Sequence, residues 1–414
     1  MNNIFFVQLF IVTIAYLLCY YIATSGKHFK LLLFTTLFSF SFLFFVFGGY
    51  FLSIKSPVDI NFILLGLSEG YFFLFFLLFS FLYKYGVWGA ICHSLCMSAV
   101  VLIDLVPPLN PLILYYAKFY YILPRTHSPL CNLWVLYFLP ALVFCRAHKL
   151  HKITSISIIA IGVFFFSSGV NKQNPIKVAV IQVGLYLDLK GSIDDFYKDL
   201  SQFLILHPDV DIVAFSENNV FSFKRGYNKD LTIKLLNTLL YNKFNERHHL
   251  LLSLNGYNDI NNVVTLYKHG NSEIVNQKKI LIPFIERKGL LNKKTELNSE
   301  YFWIDKNIEN TDLKINEHTV NSAICFDSLF PSLWTSQHKL TIVQSNYNVL
   351  NHGDGFNRLL IIGAVLSKFS VGLFSDALIN IQNTGGTVAM NRTWDIDDSL
   401  FLESKRNPFL IVSL

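Results

Sequence analysis

Apolar runs long enough to cross a bilayer fill the first 170 residues of this 414-residue chain, and no other feature constrains its fold as much. A membrane-spanning helix needs about 20 consecutive apolar residues. Such runs occupy 4–24, 31–53, 60–83, 86–106, 128–146 and 153–170, and a shorter run at 110–124 carries Lys118. Met1-Asn2-Asn3 supplies no basic segment ahead of the first run. That run is therefore expected to be a retained helix rather than a cleaved signal. The expected plan is a membrane domain of six or seven helices at 1–170, a linker at 171–176 and a second domain at 177–414.

Charge divides the chain in the same place. Residues 1–170 hold three acidic side chains, Asp59, Glu69 and Asp104, against nine basic ones. The remainder, 25 acidic and 25 basic, lies in 171–414, so the net charge of +6 belongs to the apolar part. A balanced second part offers no polyanion-binding surface, and nucleic acid is not an expected partner. The densest basic loop is Arg146-Ala147-His148-Lys149-Leu150-His151-Lys152. Basic loops face the cytoplasm. That orientation puts residues 171–414 on the extracytoplasmic side with either six or seven spans, and the remaining lysines favour six.

Glu69, His93 and Asp104 fall within the predicted spans. Ionisable residues in a bilayer are functional candidates by default. The plainer reading puts them at helix–helix interfaces or near a membrane surface. Cys92-His93 and Cys96 lack a second ligand pair for a metal, and neither metal nor other cofactor is expected.

In the second part, apolar strands alternate with helical stretches, which indicates an α/β domain. Strands are expected at 176–183, 209–215, 249–254, 262–267, 273–279, 320–325, 340–345 and 377–382, with a last hairpin at 385–390. Helices are expected at about 192–206, 229–243 and 355–371, and a polar excursion at about 287–315. Cys325 is alone here, the other five cysteines lying in the apolar part. A lone cysteine is either a small buried apolar residue or a reactive thiol. Ser328-Leu329-Phe330-Pro331-Ser332-Leu333-Trp334 behind it can start a helix. The thiol would then face a helix N-terminus, where the dipole favours the thiolate.

Two more residues stand near strand ends: Glu217 after an apolar strand and Lys278 before Ile280-Leu281-Ile282. The carboxyl ends of strands line the active crevice of open α/β sheets. There a thiol can attack a carbonyl, a carboxylate can take its proton and an ammonium can stabilise the oxyanion. Each residue alone has an ordinary reading: a surface Glu, a solvated Lys, a buried Cys.

These segments resemble the nitrilase, or carbon–nitrogen hydrolase, superfamily, and within it the apolipoprotein N-acyltransferases. Lys278-Lys279-Ile280-Leu281-Ile282-Pro283-Phe284-Ile285-Glu286 is similar to the family's lysine segment. Ile324-Cys325-Phe326-Asp327-Ser328-Leu329-Phe330-Pro331 is similar to its cysteine segment. The resemblance implies an α-β-β-α sandwich following a multispanning helical membrane domain. It implies Glu217, Lys278 and Cys325 as catalytic residues, with Glu286, Phe326 and Asn346 in support. The implied reaction runs in a bacterial inner membrane, with the second domain on the periplasmic side. Cys325 takes an acyl chain from a phospholipid as a thioester, then passes it to the N-terminal amine of a lipoprotein.

Several positions depart from the family pattern. Ser216 stands where the family has Pro, Ile285 where it has Gly, Phe326 where it has Tyr and Asp327 where it has Glu. Arg358 and Lys368 sit in a helix without the usual Arg-x-x-Glu-x-x-Arg. No apolar span follows Phe409-Leu410-Ile411-Val412-Ser413, where the acyltransferases carry a closing helix. TraB-type conjugal-transfer proteins, which resemble the same acyltransferases, fit these departures. A membrane-tethered amidase and a catalytically silent scaffold are further readings.

Overall fold

The computed structural model describes residues 3–25, 28–52, 74, 81–103, 107–108, 110–123, 125–165, 175–222, 229–255, 263–282, 286, 308, 310–347 and 358–414. Glu69 and Asp104, nearly all of the expected span at 60–83 and most of the polar excursion lie outside these residues. The chain forms two compact units. The first combines Met1–Val170 with Leu329–Ser336 and Leu350–Leu373, and the second combines Asn171–Ser328, Gln337–Val349 and Phe374–Leu414.

Helices make the first unit: α1 (Asn3–Thr24), α2 (His28–Leu52), α3 (Val87–Ala99), α4 (Pro129–Phe144) and α5 (Lys149–Phe165). The helix Phe5–Thr24 is long and apolar enough to cross a membrane, and Phe29–Phe42, Val87–Leu102 and Pro129–Phe144 are shorter apolar helices. Aromatic rings interlock α1 and α2, with Phe5 against Phe45 at 5.2 Å and Tyr16 against Phe38 at 5.4 Å. Helix α4 starts sharply because Ser128 accepts the Cys131 N–H at 3.2 Å and Pro129 presets the first helical φ. His93 is fully buried on α3, bonded to the Tyr83 hydroxyl and packed on the Tyr20 ring. Cys92 and Cys96 are instead exposed, so these three side chains do not converge.

A later helix completes this unit. Helix α9 (Arg358–Ser370) packs Phe369 against Tyr116 at 5.5 Å and sets the Arg358 guanidinium over Phe45 at 5.8 Å. The Leu329–Ser336 segment joins it through Thr335 N–H to His127 O at 2.8 Å and Ser370 Oγ to Leu329 O at 2.9 Å.

The second unit is built on two sheets. One has the order β11-β1-β2-β3-β4-β5 and the other β10-β9-β8-β7-β6. The first contains β1 (Lys177–Ile181), β2 (Ile212–Ser222), β3 (His249–Asn255), β4 (Val263–His269), β5 (Asn271–Gln277) and β11 (Phe409–Ser413). The second contains β6 (Leu313–Ile315), β7 (His318–Ile324), β8 (His338–Ser345), β9 (Ser375–Gln382) and β10 (Val388–Met390). Strands β1–β3 run parallel, as do β7–β9, and antiparallel strands flank each set.

The central strands β1–β3 of the first sheet are buried on both faces, which is why they are nearly continuous apolar runs. Val178, Val180, Ile212 and Ala214 share one core with Val320, Leu340, Ile342 and Ile379 of the other sheet. Ala179, Ile181, Val213 and Phe215 point the other way, into a core with Phe196, Leu200 and Leu235. Those three come from α7 (Ile193–Leu206) and α8 (Lys229–Tyr241). Preceding them, α6 (Val183–Lys190) ends on Gly191 at φ +68°, a left-handed cap that glycine takes without strain. Helix α7 begins where Ser192 Oγ accepts the Asp195 N–H at 3.3 Å, and its Asp194 and Asp195 suit the positive helix end. A single short helix, α10 (Asp398–Glu403), precedes β11.

The terminal run Phe409–Ser413 extends the sheet, pairing antiparallel with β1 from Lys177↔Ser413 to Ile181↔Phe409.

Candidate active site

The second unit gathers Glu217, Lys278, Glu286 and Cys325, which come from four separate segments. Glu217 lies in β2, opposite Ser253 of β3. A register shift between Ala214 and Glu217 breaks the alternation of the strand. Ser216 and Glu217 are both buried. Ser216 Oγ donates to Asn383 Oδ1 at 3.1 Å, and the same oxygen accepts the Gly184 N–H at 2.8 Å. The serine thus ties the strand carrying Glu217 to the segment after β9.

Lys278 follows β5 and extends its ladder by one bond, N–H to Val263 O at 2.8 Å. Its ammonium is fully buried and donates to Glu217 Oε1 at 2.9 Å and to Glu286 Oε1 at 2.5 Å. Glu286 Oε2 accepts the Ile282 N–H at 2.8 Å, which fixes the second carboxylate. Charges taken from water need such pairing. Burial holds the Glu286 carboxyl above the ordinary range, Lys278 pulls it down and Glu217 pushes it up.

Cys325 follows β7 with φ +40°, a left-handed conformation uncommon for non-glycine residues. Such backbone strain costs about 1–3 kcal/mol and persists where the surroundings over-determine it. Here the turn Cys325–Leu329 closes on itself, with Ser328 Oγ donating to Cys325 O at 2.6 Å. Asp327 locks this turn to the lysine segment by accepting N–H groups from Lys279, at 2.6 Å, and Ile280.

The expectation of a helix behind Cys325 is corrected. Residues 325–329 form only a short 3₁₀ turn, and 330–337 are irregular. Pro331 lacks the N–H a helix would use and restricts Phe330 before it. With no helix dipole, the thiolate is not favoured. Burial pushes the thiol well above its ordinary range, Glu217 and Glu286 push it further, and Lys278 and the Asn346 backbone oppose them. At neutral pH Cys325 rests as a thiol.

Asn346 directly follows β8, and Phe326, next to Cys325, is half-buried. Among residues that sequence reasoning passed over, Gln344 makes three side-chain hydrogen bonds. Its Nε2 donates to Phe215 O at 2.7 Å and Leu251 O at 3.3 Å, and its Oε1 accepts from Thr265 Oγ1 at 2.7 Å. Ser322 Oγ reaches Thr265 at 3.3 Å, and Asn276 Nδ2 donates to Ser322 O at 2.9 Å. This buried network spans both sheets just before each site residue. The signal was a polar residue closing the apolar run Leu340-Thr341-Ile342-Val343-Gln344. Tyr347, three residues further on, is also buried. No group of three His, Cys, Asp or Glu side chains placed to hold a metal occurs among the described residues.

No protein-family model matches the chain, and no curated protein matches it. Among solved structures, it is similar to Saccharomyces cerevisiae Nit3, a member of branch 10 of the nitrilase superfamily. The identity is 15% and the TM-score 0.37, over 60% of this chain and 93% of that one. It is similar to a carbon–nitrogen hydrolase from Helicobacter pylori G27 at 15% identity and TM-score 0.40, over 58% of this chain and 89% of that one. A glutamine-dependent NAD+ synthetase from Acinetobacter baumannii matches at 14% identity and TM-score 0.37, over 58% of this chain and 46% of that one. The chemistry open to this chain rests on its own side chains.

Proposed function

We propose that this chain is a membrane-bound thiol acyltransferase of the carbon–nitrogen hydrolase type, with Glu217, Lys278 and Cys325 as its catalytic residues. The observation that carries the reading is the buried ammonium of Lys278 between Glu217 and Glu286, set against the buried thiol of Cys325. Cys325 Sγ attacks the ester carbonyl of a phospholipid while Glu217 takes the thiol proton. The carbonyl π electrons move to oxygen, and Lys278 stabilises that oxyanion. Collapse expels the lysophospholipid alcohol, which leaves with the proton from Glu217, and a thioester remains. The N-terminal amine of a diacylglyceryl lipoprotein then attacks the thioester. Glu217 takes the amine proton and returns it to the departing sulfur.

The apolar helix Phe5–Thr24 and the apolar runs at 1–170 support a multispanning membrane domain. The basic loop at 146–152 supports residues 171–414 on the periplasmic side of a bacterial inner membrane. The test is intact-mass analysis of the full chain incubated with phospholipid, with Cys325→Ala alongside. An acyl adduct on Cys325 that disappears on adding a diacylated lipopeptide supports the reading. An adduct lost equally fast without lipopeptide makes water the acceptor, as in an amidase. One that persists with lipopeptide calls for another acceptor, as expected of the conjugal-transfer relatives. No adduct on folded protein refutes acyl transfer.

A further inference from the structure

The chemistry above leaves the buried hydroxyl of Tyr347 without a role. Tyr347 lies two residues beyond β8, and the register Ile324↔Gln344 sets the end of β8 beside the end of β7, where Cys325 stands. The side chain is 6% exposed. Its hydroxyl lies beside Ser345 Oγ, yet neither oxygen finds a hydrogen bond of ordinary geometry among the described residues. Glu217 pushes the phenol up and Lys278 pulls it down, and an ionised Cys325 would push it up further. Burying a hydroxyl without a partner is unfavourable, so such a group in a native interior calls for an explanation. A phenylalanine would fill the same space at no such cost.

Lys278 is already engaged by two carboxylates. An oxyanion forming on the carbon bonded to Cys325 Sγ therefore has room for a further donor. The phenol is held in its neutral form by burial and by the negative charges around it. A neutral phenol donates a hydrogen bond and offers no charge that the resting site must balance. We infer that Tyr347 is a further catalytic residue, its hydroxyl donating to the oxyanion of the tetrahedral intermediate formed on Cys325. This rests on the acyl-transfer reading above. The phenol keeps its proton throughout. The thiol proton goes to Glu217, the S–C bond forms and the carbonyl π pair moves to the oxygen that Tyr347 and Lys278 share.

The test compares two reactions of the same thiol in full-length protein in detergent micelles. Acylation by a p-nitrophenyl ester passes through a tetrahedral oxyanion. Alkylation by iodoacetamide displaces iodide directly and forms none. Tyr347→Phe is expected to slow acylation about 100-fold, the usual cost of one oxyanion donor. Its alkylation rate is expected to stay close to that of the unaltered protein. Placing 3-fluorotyrosine at 347, a stronger donor of the same shape, is expected to keep or raise the acylation rate. Unchanged acylation in Tyr347→Phe overturns the inference, and so does an equal fall in both reactions, which marks a structural role. Unaltered protein that is alkylated at Cys325 but never acylated overturns the acyl-transfer reading, and this inference with it.

Discussion

Lys278→Met keeps the length of the side chain and removes its charge. The buried ammonium answers two carboxylates, at 2.9 Å and 2.5 Å, so the variant leaves Glu217 and Glu286 facing each other out of water. Breaking a buried ion pair from one side costs about 3–5 kcal/mol. For a folding unit of this size each kcal/mol moves Tm by roughly 2–4 °C, so a loss of about 10 °C is expected at pH 8. The sign of the pH dependence follows from Glu286, which burial raises even with Lys278 present. Without the ammonium it rises further. A carboxyl whose folded pKa exceeds its unfolded one stabilises the fold at low pH, and that stability is lost as pH rises through the folded pKa. The deficit should therefore shrink between pH 8 and pH 5, by about 1.4 kcal/mol per pH unit for each extra proton the variant holds. The assay is thermal unfolding of the full chain in detergent, followed by circular dichroism at both pH values beside the unaltered protein. A deficit of the same size at pH 5 and pH 8 would refute the reasoning, because the carboxylates would then not be the source of the cost.

Glu286→Gln removes one of the negative charges that raise the thiol of Cys325. Alkylation by iodoacetamide at pH 7 should speed up several-fold, as a rate–pH profile will show. Asp327→Ala frees the Lys279 and Ile280 N–H groups that hold the lysine segment to the cysteine turn. Acylation should fall at least 10-fold, and losing two hydrogen bonds to a carboxylate, about 3–6 kcal/mol, should lower Tm by about 10 °C. Gln344→Leu leaves the buried Phe215 and Leu251 carbonyls and the Thr265 hydroxyl short of a partner. The expected cost is about 2–3 kcal/mol, measured as a lower Tm. Gly184→Ala would set a Cβ 2.9 Å from Asn383 Nδ2 and 3.0 Å from its Cγ. Asn383 must shift off Ser216, and a slower acylation with an unaltered alkylation rate is expected.

Periodicity carried most of the second unit, for a physical reason. A strand buried on both faces is a short apolar run, and β1, β3, β8 and β9 all fall within expected runs to within a few residues. The candidate residues were legible because each adjoins an apolar run: Glu217 and Cys325 follow one, and Lys278 precedes Ile280-Leu281-Ile282. What could not be read was conformation set by tertiary contact. The turn after Cys325 looked helical, since Ser328-Leu329-Phe330 has helix-compatible side chains, but Pro331 and the closure by Ser328 decide otherwise. Phe409–Ser413 was noted as apolar yet not as a strand, because its partner β1 lies more than 200 residues away. Leu329–Ser336 and Leu350–Leu373 join the first unit through contacts to His127, Tyr116 and Phe45, a long-range pairing that no local pattern announces. Asp327 registered only as a departure from a pattern, although its two backbone hydrogen bonds join the halves of the site.

The charges around Cys325 also constrain the order of events. Two carboxylates already outnumber the one ammonium in this buried cluster. A free thiolate would add a third negative charge in low dielectric, and the raised thiol pKa expresses that cost. If the proton instead passes to Glu217 as the S–C bond forms, the net charge of the cluster changes only by what appears on the substrate oxygen. That charge lies beside Lys278, the position where a preorganised cation lowers the barrier most. The same balance penalises a thiolate in the absence of a carbonyl. A site arranged this way keeps its nucleophile protonated between substrates, so its alkylation by small electrophiles at neutral pH should be slow while its acylation is fast. A resting thiol alkylated as fast as a free thiolate would contradict that order.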